Sequence, residues 1–104
     1  MKLLIIQREA VPKLKLIEDL AKRAQLLSIF LTSDACVLAS KSNSSIEQDT
    51  LLKIAKQFKF EILVCGRAFA ERGFKSEDLN SGFILSGNME LVSNIVKADK
   101  ILEF

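Results

Sequence analysis

The sequence contains no histidine, no tyrosine and no tryptophan. The missing histidine excludes Cys-His hydrolases, Ser-His-Asp triads and the common zinc sites together. Chemistry then falls to cysteine, carboxylates, lysine, arginine, hydroxyls and backbone amides, and no metal is expected. Glycine occurs four times and proline once, and there is no linker, repeat or low-complexity segment. Neither a P-loop nor a G-x-G-x-x-G fingerprint is present, so no nucleotide cofactor is expected. Charge of one sign is also scarce: 15 basic residues face 13 acidic ones, a net +2. No Lys or Arg cluster with interleaved aromatics marks a nucleic-acid footprint, so no direct nucleic-acid partner is expected. The opening apolar run, Leu3 to Ile6, is too short for a signal-peptide core or a membrane span. The two cysteines form no disulfide framework. Together these absences predict a cytoplasmic protein with reduced thiols and no membrane partner.

What is present is apolar. Hydrophobic residues make up 49% of the 104, and all seven aromatics are Phe. A chain this long makes one domain, residues 1–104, able to fold without staples. Its apolar content also predicts that another subunit covers part of the surface.

Short apolar runs alternate with segments of helical periodicity. Lys2–Ile6, Leu26–Thr32, Phe60–Val64, Gly82–Leu85 and Lys100–Phe104 read as strands. Between them, Pro12 suits the first turn of a helix carrying Leu14, Ile17, Leu20 and Ala21, after a loop over residues 7–11. Ala35–Ala39 reads as a short helix. Ser44 or Ser45 caps a helix with Leu51, Leu52, Ile54, Ala55 and Phe58 as its stripe. Residues 67–71 form a brief helix stopped at Gly73, and a last helix carries Leu91, Val92, Ile95 and Val96. The alternation predicts an α/β fold: three α/β/α layers about a mainly parallel five-stranded sheet.

Ligands of such sheets bind beyond the carboxyl ends of the strands. Ser33-Asp34-Ala35-Cys36, Cys65-Gly66-Arg67 and Ser86-Gly87-Asn88 all fall there. Cys65 stands where a strand passes into a helix, a place that favours a thiolate, with Arg67 and Arg72 adding positive charge and Glu71 opposing it. It reads equally as a packed apolar residue at a strand end. Cys36 reads as an inert packed thiol; a resolving or relay role additionally requires that the second and third strands be neighbours. Asp34 reads as a cap or a site residue. Ser86-Gly87-Asn88 either caps the last helix or cradles an anion.

The stretch Glu61-Ile-Leu-Val-Cys65-Gly-Arg-Ala68-Phe-Ala-Glu-Arg72-Gly73 resembles the DsrE/TusD pattern of a cysteine-ended strand, an Ala three residues on and Arg-Gly beyond. Gly82-Phe83-Ile84-Leu85-Ser86-Gly87 is similar to that family's Gly-Phe-x-Leu-Ser-Gly segment, and Ala98–Phe104 to its ending. The first half differs. Residues 7–11 stand where TusD-like proteins have a Gly-Pro-rich segment, and Asp34-Ala35-Cys36 where they have Asp-Gly-Val. The resemblance implies a DsrE-like fold and a sulfur relay, a sulfurtransferase role in which Cys65 accepts sulfane sulfur as a persulfide. It implies hand-over to a small carrier of the DsrC/TusE type, in tRNA thiolation or sulfur oxidation. It also implies a homo-oligomer, or a mixed assembly with DsrF- and DsrH-like subunits. Two other roles stay open: a non-catalytic DsrE/DsrH-like subunit, and a small-ligand or redox-sensing module using both thiols.

Overall fold

Five strands lie side by side in the order β4-β3-β2-β1-β5, all parallel, in a computed structural model that describes residues 1–104. They are β1 (Lys2–Gln7), β2 (Gln25–Leu31), β3 (Glu61–Cys65), β4 (Ile84–Ser86) and β5 (Lys100–Glu103). The helices are α1 (Leu14–Arg23), α2 (Ile46–Phe58), α3 (Gly66–Glu71) and α4 (Asn88–Lys97), with short 3-10 helices at Ser33–Ala39 and Ser76–Asp78. The expected layering holds.

Side chains alternate across the strands, and the two faces gather separate clusters. Leu3, Ile5, Ile29, Leu31, Ile62 and Val64 point to one face, where α1, α2, α3 and the first 3-10 helix cover a cluster of 20 buried residues. Leu4, Ile6, Phe30 and Leu63 point to the other, where α4 brings Leu91. Ser28 and Asn94 tie β2 to α4 through side-chain oxygens 3.0 Å apart.

Local chemistry explains the boundaries. The Ser45 hydroxyl accepts the Gln48 N–H at 3.2 Å and starts α2. Gly73 turns the chain at φ +85° after α3, its N–H donating to Ala70 O at 3.0 Å. Three readings from sequence shift. Gln7 is the buried last residue of β1 rather than part of a loop. Pro12 lies two residues ahead of α1 instead of in its first turn. The fourth strand begins at Ile84, because Phe83 N–H closes a turn onto Asn80 O before pairing with β3 can start.

One buried polar side chain ties α2 to the loop before it. Gln48 falls on the buried stripe of α2, and its amide donates to the carbonyls of Leu38 and Ser40, each at 2.8 Å. That fixes the end of the first 3-10 helix and the loop after it. No helix is long and apolar enough to cross a membrane.

Candidate functional site

β2 and β3 are adjacent, with Leu31 opposite Val64, so the segments that follow them meet at one rim. Cys65 ends β3 and precedes α3; it is partly exposed and packs against both hydrophobic clusters. Cys36 lies in the 3-10 helix after β2 and is fully buried in the larger cluster. Its Sγ donates to Leu31 O at 3.6 Å and approaches Cys65 O at 3.9 Å. Burial, with the Cys65 sulfur beside it, pushes the Cys36 thiol up from 9.0 to about 11, although Arg72 pulls the other way. Cys36 is therefore a neutral thiol near neutral pH, whereas Cys65 is the thiol open to a partner.

The charged residues sort differently from their order in sequence. Arg67 extends into solvent, its side chain 88% exposed, with Glu71 3.7 Å away one helical turn on. Arg72 turns back across the rim. It donates to Ala68 O at 3.0 Å and meets the Asp34 carboxylate at 3.0 Å, with Ser33 Oγ at 3.5 Å. Ser33 holds a left-handed φ of +53°, a conformation that disfavours a side chain. The Asp34–Arg72 pair thus ties the strained turn after β2 to the end of α3. Asp34 works as a clamp on the rim, through Arg72.

On the other side of Cys65, β4 places Ser86 opposite it in register. Ser86 is buried, and its hydroxyl oxygen has no hydrogen-bond partner. Gly87 caps α4, and its N–H donates to the Glu90 carboxylate at 3.0 Å, so capping occupies the first amide of the expected anion cradle. A Cβ at Gly66 would meet Ser86 O at 3.6 Å, ordinary contact, so space alone does not require glycine there. Gln7, at the end of β1, also keeps an unpaired buried oxygen while its amide donates to Glu9 O at 2.9 Å. The sequence alone assigns Gln7 no role beyond a loop; its polar side chain directly after Leu3–Ile6 is the available signal. No three side chains of metal-binding type converge.

Parallel strands whose carboxyl ends present a partly exposed cysteine beside a second, buried thiol define a doubly wound α/β protein with a thiol rim. The chain belongs to the DsrE/DsrF-like family, which it matches over residues 2–104. Its fold is that of the E. coli ychN protein, with a TM-score of 0.75 and 23% identity over 100% of both chains. MTH1491 of Methanobacterium thermoautotrophicum, a protein of unknown function, is similar at a TM-score of 0.72 and 12% identity, covering 99% of this chain and 97% of its own. No curated protein matches the sequence.

Proposed function

We propose that this protein is a persulfide carrier of a sulfur relay, with Cys65 as the sulfur-bearing residue. Family membership supports the relay, and the partial exposure of Cys65 at the carboxyl rim is the observation that carries the assignment. The Cys65 thiolate attacks the outer sulfur of a donor persulfide, and the donor leaves as a thiolate. An acceptor thiolate then attacks the same sulfur, and Cys65 is the leaving group. No histidine is needed. None of the surface hollows is lined by Cys65, which suits hand-over between protein surfaces better than turnover of an enclosed metabolite. The partners are a protein sulfur donor and a DsrC/TusE-like acceptor, in tRNA thiolation or sulfur oxidation, and the whole chain acts as one cytoplasmic domain.

The exposed apolar residues of α4, Met89 at 85%, Val92 at 55% and Val96 at 78%, support assembly with copies of itself or with DsrF/DsrH-like subunits. They equally favour a non-catalytic subunit as the second reading. Intact mass after incubation with a cysteine desulfurase and cysteine separates the two. A reductant-sensitive gain of about 32 Da, lost in Cys65→Ser and kept in Cys36→Ser, is the carrier's result. No gain on Cys65 refutes it.

A further inference from the structure

Cys65 and Ser86 face each other across the β3–β4 pair, as Leu63 faces Ile84 two residues earlier. Residues paired in this way put their side chains on the same face, with the strands about 4.8 Å apart. Leu63 belongs to the α4-side cluster, and Cys65, two residues on, packs against that cluster as well as the larger one, so the alternation along β3 puts the shared face under α4. Ser86 is 8% exposed, and its oxygen is shielded from solvent and has no partner. A hydroxyl desolvated without a hydrogen bond destabilises the fold unless something else at that place uses it. Gly87 N–H, the next donor along, is already engaged by Glu90. The Ser86 hydroxyl is therefore an unpaired donor on the register partner of the one partly exposed thiol, at the amino end of the ten-residue α4.

We propose that the Ser86 hydroxyl donates a hydrogen bond to the outer sulfur of a persulfide on Cys65, and so holds the cargo on the rim. This rests on Cys65 carrying sulfur. Loading forms one S–S bond and breaks one: the Cys65 thiolate takes the outer sulfur of the donor persulfide, and the donor departs as its thiolate, with no net oxidation. Ser86 keeps its proton throughout. It is a positioning residue for the cargo, and the bare thiol makes no use of it.

The two states of the protein should then respond oppositely to one substitution. Ser86→Ala removes an unsatisfied buried hydroxyl, so the unloaded variant should melt higher than wild type, by roughly 4–8 °C. Equilibrated against a fixed ratio of glutathione persulfide to glutathione, the same variant should show a loaded-to-unloaded ratio about tenfold below wild type by intact mass. Ser86→Thr keeps the hydroxyl and should restore loading. A purely structural serine would lower the melting temperature on removal and leave the loading ratio unchanged; that pair of results overturns the proposal. Equal loading of wild type and Ser86→Ala also overturns it while leaving the carrier reading intact. Wild type that gains no sulfur from glutathione persulfide removes both.

Discussion

On one face of the sheet α1, α2, α3 and a 3-10 helix enclose 20 buried residues, whereas on the other α4 alone covers four. The enclosed face holds Cys36, fully buried in the same cluster as Leu38 and Ala39. Cys65 packs on both clusters at their common rim. Two thiols at the ends of adjacent strands thus acquire opposite characters from their surroundings. The closed face makes Cys36 a packing residue with a hard-to-remove proton. The thinly covered face leaves Cys65 within reach and exposes an apolar helix above it.

The contrast breaks first if the closed face does not carry the stability. Phe69 is 1% exposed and stacks on Phe74 with ring centroids 4.9 Å apart. Phe69→Ala should cost about 3–5 kcal/mol in denaturant unfolding; a loss below 1 kcal/mol, by the same scale, would mean that this face is not the core. The next effect is alkaline. Cys36 ionises at its ordinary 9.0 when unfolded but holds its proton to about 11 when folded. In that window the folded chain binds the extra proton, so stability is full below pH 9 and falls as pH rises to 11. Between those limits wild type should lose about 2–3 kcal/mol more than Cys36→Ala. Parallel pH curves for the two proteins would remove the distinction between the thiols.

Smaller effects sharpen the comparison. Asp34→Ala breaks the pair with Arg72, whose Asp34 side chain is 75% exposed. It should cost about 0.2–1 kcal/mol, and salt should shrink the difference. Met89→Lys with Val96→Lys on α4 should change unfolding of the isolated chain by no more than about 0.5 kcal/mol. The pair should nonetheless abolish association seen by sedimentation, if the exposed face is where copies or sister subunits meet. Association that survives both lysines places the contact elsewhere.

Most of the frame is legible in the sequence because it follows local rules. Apolar runs such as Leu3–Ile6 and Ile62–Val64 mark strands buried on both faces, and Ser45 marks the start of α2. The rim is legible too, since strand ends can be counted. Non-local relations are not. Whether Cys36 lies near Cys65 depends on strand order, which the alternation of elements leaves open. Arg67 and Arg72 are equally basic after the cysteine, and only the fold turns one outward to Glu71 and the other inward to Asp34. Val92 and Val96 fit the apolar stripe of any buried helix; periodicity gives a stripe but not its cover. A polar residue that ends an apolar run reads as the start of a loop, yet the β1 ladder extends through Gln7, opposite Leu31.

The strand order also governs when the structure closes. β1 to β4 are laid down outward in sequence, each beside the last, but α4 must carry the chain back across the sheet to set β5 against β1. Asp99 then meets Lys2 through two backbone-linked hydrogen bonds of 2.8 Å, joining positions 97 residues apart. Contacts so distant along the chain carry the largest loop-closure entropy and form late. The last helix is in this sense a strap. The half of the sheet bearing Cys36, Cys65 and Ser86 can assemble before the strap is fastened, and hydrogen exchange should find α4 and β5 opening ahead of β2 and β3.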